Sequence, residues 1–191
     1  MKRRWALVVM GAWLMGTVCT SVVATENFYT IDRLLAGSPN GSLRTTVQQL
    51  GQPQARDLLR YLSSELNRLY FQMWNVAQLL LGLLVLWLVV STQQDPAVAR
   101  RAIRGVVAML AIVVAMLVWL TPSIVSLGRS LDFIPRDPAP PGMQRFWVLH
   151  AAYTSLETLK LIVGIVTTWW IVKSSPAGSE TPIRSTNPVP W

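Results

Sequence analysis

Four apolar runs, each long enough to cross a lipid bilayer as a helix, dominate this chain. They cover residues 5–25, 69–92, 105–128 and 146–172. A helix of about 20 residues is roughly 30 Å long, which is the thickness of the hydrocarbon core. Hydrophobic residues make up 52% of the chain and charged residues 14%, a balance that is too apolar for a soluble domain of this length. We therefore predict an all-α integral membrane protein, with a four-transmembrane-helix bundle in residues 1–173.

The basic residues that flank these runs predict how the bundle is oriented. Short loops rich in Lys and Arg stay on the cytoplasmic side of a membrane. Two basic clusters precede the first and third runs: Lys2, Arg3, Arg4, Arg100, Arg101 and Arg104. Both termini are thus expected in the cytoplasm, with the chain in the bacterial inner membrane. Anionic-lipid binding and a specific ligand are the alternative roles for the second cluster.

The segment between the first two runs is expected to be helical and to lie outside the membrane. A turn cluster, Gly-Ser-Pro-Asn-Gly at 37–41, interrupts it. Apolar residues continue at helical spacing before this turn and again after Pro53. We predict that spans one and two extend beyond the membrane as an extracytoplasmic helical hairpin, which includes residues 26–68. Residues 27–68 form the surface on which a protein partner would dock.

The N-terminus also fits a secretory signal peptide. It has a basic start, an apolar core and small residues at Val22-Val23-Ala24, before a cleavage point at Thr25. Against cleavage, the uncharged stretch is long for a signal core and contains Trp5 and Trp13. The amphipathic helical pattern also continues past it. These features favour retention of the first span over removal of residues 1–24.

Proline-rich and polar stretches predict where regular structure stops. Pro122 lies late in the third run and is expected to kink that span or to end its regular part. The loop at 129–145 contains four more prolines and is expected to be irregular. Residues 174–191 are rich in Ser, Pro and Thr and have too few apolar residues to fold alone. We predict a disordered cytoplasmic tail there.

One face of the fourth run carries polar residues that a membrane span rarely contains. His150, Tyr153, Glu157 and Lys160 fall within an arc of roughly 80° at about 100° per residue. An ionisable group at bilayer depth costs several kcal/mol unless it is paired or hydrated. Glu157 and Lys160 are three residues apart, so their side chains can meet on the helix and neutralise each other.

A matching polar row occurs on the second run, at Gln72, Asn75 and Gln78. The first run adds Thr17, Thr20 and Ser21, and the third adds Thr121 and Ser123. Two interpretations follow. These groups either hold the helices together by hydrogen bonds, or line a hydrated pocket open to the outside. The candidate intramembrane polar site comprises His150, Tyr153, Glu157, Lys160, Gln72, Asn75 and Gln78.

No residue pattern predicts a metal, a cofactor or an enzyme. Met109 and Met116 share one face of the third run, and thioether ligands suit Cu(I), but methionines at helical spacing are more often core residues. His150 is the only histidine, so bis-histidine haem ligation within one chain is impossible. No nucleophile elbow, phosphate loop, metal-protease motif or pair of catalytic carboxylates occurs.

Several short motifs in this order resemble a known family. They are Trp13 with Gly16, Val22-Val23-Ala24, Asn27-Phe28, Glu65-Leu66-Asn67-Arg68, Leu120-Thr121-Pro122 and the fourth-run segments at 146–153 and 156–160. The most specific piece is Phe-x-x-Leu-His at 146–150, followed by Leu-Glu-x-Leu-Lys at 156–160. The order resembles a bacterial four-span membrane family described as a domain of unknown function, whose eukaryotic relatives include transmembrane protein 205. The resemblance implies a four-helix membrane bundle and carries no catalytic residues.

Two functions remain open at this point. The first is a small transport or sensing module with an outward-facing polar pocket. The second is a structural or partner-binding subunit of a membrane complex, in which the polar residues only hold the helices together. The lipid bilayer is the expected partner, and a protein docked on residues 27–68 and a second copy of the chain are further candidate partners. The charge of +8 does not predict nucleic-acid binding, because the basic residues are scattered rather than gathered into one stripe.

Overall fold

The computed structural model of the chain describes residues 1–37, 40–92 and 96–173, and within them it contains helices and no strand. The helices are α1 (Lys2–Gly37), α2 (Gly41–Leu50), α3 (Gln52–Val90), α4 (Pro96–Ala115), a π-helical turn (Met116–Leu120), α5 (Thr121–Ser130) and α6 (Met143–Lys173). Four helical units are long and apolar enough to cross a membrane: α1, α3, α4 together with α5, and α6. Over the described residues, the prediction of an all-α protein with four helices able to span a membrane is confirmed.

The bundle is packed most closely near the start of α1. All four long helices contribute to one apolar core there, which consists of Ala6, Met10, Trp13, Val85, Leu88, Val89, Ala102, Val106, Met109, Leu110, Val113 and Ile171. Lipid tails are as apolar as these side chains, so helices associate in a membrane mainly through close packing. Gly105 of α4 illustrates this closeness, because a Cβ atom at this position would overlap the hydroxyl of Thr167 on α6.

The third span is not a continuous α-helix. The π-helical turn at Met116–Leu120 separates α4 from α5 and ends just before Pro122. Proline has no N–H and cannot make the usual hydrogen bond within a helix, so the backbone before it adjusts. The prediction that Pro122 interrupts the regular part of this span is confirmed. The next helix begins with Thr121, which is buried.

Helices α1 and α3 stay in contact beyond the apolar runs. Asn67 Nδ2 donates to the Ala24 carbonyl at 2.9 Å, and Asn67 Oδ1 accepts from Asn27 Nδ2 at 2.6 Å. Ser63 Oγ donates to the Asn27 carbonyl at 3.2 Å. These bonds tie the C-terminal half of α1 to the polar first half of α3.

The connection between α5 and α6, residues 131–142, is irregular, as its prolines predict. It folds back onto α3. An Asp132 carboxylate oxygen lies 2.9 Å from Arg68 Nη2, and the ring centroids of Tyr61 and Phe133 are 5.0 Å apart. The connection thus covers the space between α3, α5 and α6.

Charged residues divide between the two ends of the bundle. Arg3 Nη2 donates to the Val172 carbonyl at 2.6 Å, which places the start of α1 beside the end of α6. This end, named the basic end here, carries Lys2, Arg3, Arg4, Arg100, Arg101, Arg104 and Lys173. The other end carries most of the described carboxylates, Glu26, Asp32, Asp57, Glu65, Asp132 and Asp137, and also eight arginines: Arg33, Arg44, Arg56, Arg60, Arg68, Arg129, Arg136 and Arg145. The predicted disordered tail at 174–191 lies outside the described residues.

Candidate functional site

A buried group of polar side chains lies where α1, α3, α5 and α6 meet, and its centre is an ion pair. Lys160 is fully buried and donates to Glu157 Oε2 and to Gln78 Oε1. Gln78 Nε2 in turn donates to Glu157 Oε1 at 3.3 Å. One amide of α3 therefore bridges both charges of α6. Because the two charges compensate each other, the pair is far cheaper to bury than either ion alone.

The hydrogen bonds continue from this pair to the third span. Asn75 Nδ2 donates to Thr121 Oγ1 at 2.8 Å, and Gln78 Nε2 lies 3.4 Å from Asn75 Oδ1. Tyr153 Oη lies 3.5 Å from the same Asn75 oxygen. The π-helical turn before Thr121 positions this residue toward α3. A turn of this kind is frequently found at functional or structurally special places.

Trp13 connects the first span to the same group. Its Nε1 donates to Gln78 Oε1 at 3.2 Å, and its side chain is fully buried. We name the set of Trp13, Asn75, Gln78, Thr121, Tyr153, Glu157 and Lys160 the central cluster. Sequence reasoning did not include Trp13 in the site. The sequence offered one signal. Trp13 lies near the centre of its apolar run, whereas tryptophan in spans is usually found at the membrane interface.

Five of the seven candidate residues belong to the central cluster, and two do not. Gln72 is exposed on another side of α3. His150 is also exposed, and it lies near Phe146 and Trp147 with ring centroids 6.0 Å and 6.1 Å away. The hydroxyls of Thr17 and Ser21 do not join the cluster, because each donates to a carbonyl four residues earlier in α1.

The central cluster is well satisfied. Over residues 1–37, 40–92 and 96–173, the one buried side-chain nitrogen or oxygen without a hydrogen-bond partner is Trp74 Nε1, which is not part of it. Buried polar networks in which every member is paired rigidify a core and define its register. The cluster therefore has the chemistry of a structural device that aligns all four spans.

A cleft lies above the central cluster, on the side away from the basic end. It has a volume of about 110 Å³ and is bounded by α1, α3, α5, α6 and the 131–142 connection. Tyr153 and Thr121 line its inner end, so the cleft and the cluster share a wall. Most of the lining is apolar: Phe28, Phe71, Ile124, Val125, Leu131, Met143 and Phe146. His150 lines the cleft together with Phe146.

The mouth of the cleft is charged and carries an excess of arginine. Arg68 is only 10% exposed and pairs with Asp132 and with Glu65 at 2.5 Å, while Arg129 lies 3.5 Å from Glu65. Hydrogen bonds from Arg68 and Arg129 hold the pKa of Glu65 below its ordinary value, so Glu65 is ionised at neutral pH. Glu65 precedes the apolar part of α3.

Arg136 adds a further cation to this mouth. It lines the cleft and is exposed, and it makes no ion pair with a carboxylate in the described part of the chain. Burial, followed by the nearby charge of Arg136, lowers the pKa of the Arg60 guanidinium. Among the charged residues that line the cleft, Arg68 and Arg136 outnumber Asp132. The cleft consequently combines an apolar body with a net positive entrance.

No described group of residues has the composition of a metal site. Within the ranges that the structure covers, no three His, Cys, Asp or Glu side chains lie close enough together to hold an ion. Met109 is fully buried in the apolar core, and Met116 is fully buried in a smaller apolar group with Leu120 and Tyr153.

No protein-family model, curated protein or solved structure matches this chain.

Proposed function

We propose that this protein is a small membrane-embedded sensing or transport module that binds a single-chain anionic amphiphile, such as a fatty acid, in the cleft. The observation that carries the proposal is the polarity of the cleft. Apolar side chains form its body, and Arg68 and Arg136 stand at its mouth. Ligand sites combine mostly apolar walls with a few oriented polar groups. The carboxylate of such a ligand matches the arginines, and the adjoining part of its acyl chain matches the apolar walls; because the cleft has a volume of only about 110 Å³, the rest of the chain would extend into the lipid.

The central cluster closes the inner end of this site. Lys160, Gln78 and Asn75 are fully buried, so no open path leads past them in this conformation. A ligand would instead touch Tyr153 and Thr121, both of which are hydrogen-bonded to Asn75. The ligand would thus rest against a closed inner end of the cleft. This closed end supports sensing in preference to free passage.

The proposed orientation puts the cleft on the outer side of a bacterial inner membrane, with both termini in the cytoplasm. The division of charge supports it, because the basic end carries Lys and Arg in short connections and at helix ends. The contacts between Asn27, Ser63 and Asn67 then belong to an extracytoplasmic helical hairpin. Retention of the first span fits the central position of Trp13 in the core. The proposed kinship is with the four-span family that the motifs resemble.

Binding of cis-parinaric acid, a fluorescent fatty acid, to the full chain in detergent tests this function. We expect the acid to bind more tightly than its methyl ester, which lacks the charge. Arg136→Gln should weaken binding of the acid by about tenfold, because a hydrogen bond to a charged group contributes about 1.5 kcal/mol. The same substitution should leave the ester unaffected. Arg136 is exposed, so the variant should fold normally.

Arg145→Gln is the matched control, because Arg145 is also exposed and near this end of α6 but does not line the cleft. Its affinity for the acid should equal that of the unmodified chain. Equal affinities for acid and ester would contradict the proposal. So would equal losses in the two arginine variants, since these would report general surface charge.

A second candidate function, a partner-binding subunit, rests on the hairpin surface. Large apolar side chains there are exposed, including Tyr29, Leu58 and Leu62 at 59%, 54% and 54%. If the hairpin lies outside the membrane, these residues face water unless another protein covers them. Light scattering on the protein purified in mild detergent should then give the mass of a stoichiometric complex or homo-oligomer. A uniformly monomeric protein would exclude a stable complex.

A further inference from the structure

A second groove lies at the basic end of the bundle. It runs between α4 and α6 and is lined by Arg101, Arg104, Gly105, Ile162, Val163, Val166 and Trp170. We infer that this groove binds an anionic phospholipid of the cytoplasmic leaflet, with the phosphate on the arginines and one acyl chain along α6. The groove shares no lining residue with the cleft.

The charge of the groove favours an anionic occupant. Arg101 and Arg104 are exposed, and neither is paired with a carboxylate in the part of the chain that the structure covers. They are three residues apart on α4, so both can reach one phosphate. The residues around them at this end of the bundle are cationic as well, namely Lys2, Arg3, Arg4 and Lys173. Basic pockets between spans on the cytoplasmic side are typical sites for anionic lipid headgroups.

The lower part of the groove is apolar and open to the side of the bundle. Ile162 and Val166 are 55% and 41% exposed and follow each other at helical spacing on α6. Gly105 allows α4 and α6 to approach closely at the floor of the groove, because it lies against Thr167 and has no side chain of its own. The apolar part therefore continues directly below the two arginines, which is the arrangement of tail and headgroup in a phospholipid.

The aromatic residues at this end place the arginines at headgroup depth. Lys173 Nζ lies 4.5 Å from the ring centroid of Trp169, and Lys2 Nζ lies 5.7 Å from that of Trp87. Tryptophan and lysine together mark the interface between hydrocarbon and water. Trp170, in the groove itself, belongs to the same level. A phosphate at this depth would meet Arg101 and Arg104 directly.

Native mass spectrometry of the full chain tests this site, after equilibration in micelles with equal amounts of phosphatidylglycerol and phosphatidylcholine. We expect the unmodified protein to retain phosphatidylglycerol preferentially. Arg101→Gln with Arg104→Gln should lower this preference by about tenfold or more, since each basic residue near an anionic lipid contributes about fivefold. Arg100→Gln is the matched control, because Arg100 is exposed in the same cluster but does not line the groove.

A second pair of variants tests the apolar half without changing charge. Val166→Phe fills the groove and should reduce retention of phosphatidylglycerol, whereas Ile165→Phe, on an exposed neighbour outside the groove, should not. These two phenylalanine variants test lipid binding in the groove even if the double arginine variant fails to insert into the membrane. Three results would each overturn the inference: no preference for phosphatidylglycerol, an equal loss with Arg100→Gln, or equal retention by the two phenylalanine variants.

Discussion

Lys160→Met is expected to lower the free energy of unfolding by about 3–5 kcal/mol, because it leaves the Glu157 carboxylate buried without its counter-ion. The Lys160 side chain is 0% exposed and that of Glu157 is 9% exposed, so water cannot take over the role of the ammonium group. Methionine has nearly the volume of lysine, so the loss reports charge and not a cavity. Unfolding by SDS in mixed micelles measures the change.

The double substitution Glu157→Gln with Lys160→Met should restore stability to within about 1 kcal/mol of the unmodified chain. It removes both charges, and the introduced amide can still accept the hydrogen bond from Gln78 Nε2. Glu26→Gln serves as the surface control. It breaks the ion pair between Arg33 and Glu26, whose side chains are 66% and 52% exposed. This should lower the free energy of unfolding by less than about 1 kcal/mol. A double variant as unstable as Lys160→Met would contradict the charge-compensation account.

Trp13→Ala is also expected to lower the free energy of unfolding by about 3–5 kcal/mol, because it empties a fully buried position in the apolar core. Trp13→Phe keeps a six-membered aromatic ring in the core but removes the donor to Gln78 Oε1 and the five-membered ring of the indole; that oxygen keeps its bond from Lys160. Its cost should lie between the about 1 kcal/mol of one hydrogen bond and the larger cost of Trp13→Ala. The same SDS titration compares the two variants.

Trp5→Ala is the control for Trp13, since Trp5 lies in the same helix but is 57% exposed. It leaves no cavity in the bundle and should change stability by less than about 1 kcal/mol. A loss for Trp5→Ala as large as that for Trp13→Ala would mean that the first span contributes through general apolarity. It would then be wrong to assign Trp13 a specific place in the central cluster.

The four spans could be predicted from the sequence because membrane crossing depends mainly on apolar length. The polar face of α6 could be predicted for a similar reason, since helical periodicity is local. Tyr153, Glu157 and Lys160 share a buried stripe with Gly164 and Thr167. His150 has the same angular position, yet it is exposed. Periodicity gives the direction of a side chain but not how far the neighbouring helices extend, and at His150 the neighbour is the open cleft.

The row on α3 shows a second limit. A spacing of three residues drifts by about 60° per step at 3.6 residues per turn, so Gln72 lies roughly 120° around the helix from Gln78. Asn75 and Gln78 are only one such step apart, so both belong to the central cluster, whereas Gln72 points to another side of α3 and is exposed. The row looked continuous in the sequence because its members are evenly spaced. An angular comparison of its two ends would have separated Gln72 from the other two.

The cleft could not be predicted from the sequence, because it depends on contacts between distant segments. It forms where the 131–142 connection folds back onto α3, held by Arg68 and Asp132. Arg68 and Asp132 are 64 residues apart in the sequence, so no local sequence pattern predicts that they pair. The pairing of Trp13 with Gln78, which is 65 residues away, could not be predicted for the same reason.

The central claim is that the buried cluster is structural and that the ligand binds above it. Binding of cis-parinaric acid to the Glu157→Gln, Lys160→Met double variant tests both halves at once. The account predicts an affinity within about twofold of the unmodified chain, since the changes lie outside the cleft lining. A folded double variant that no longer binds the acid would contradict it, because the charges of Glu157 and Lys160 would then belong to the binding site.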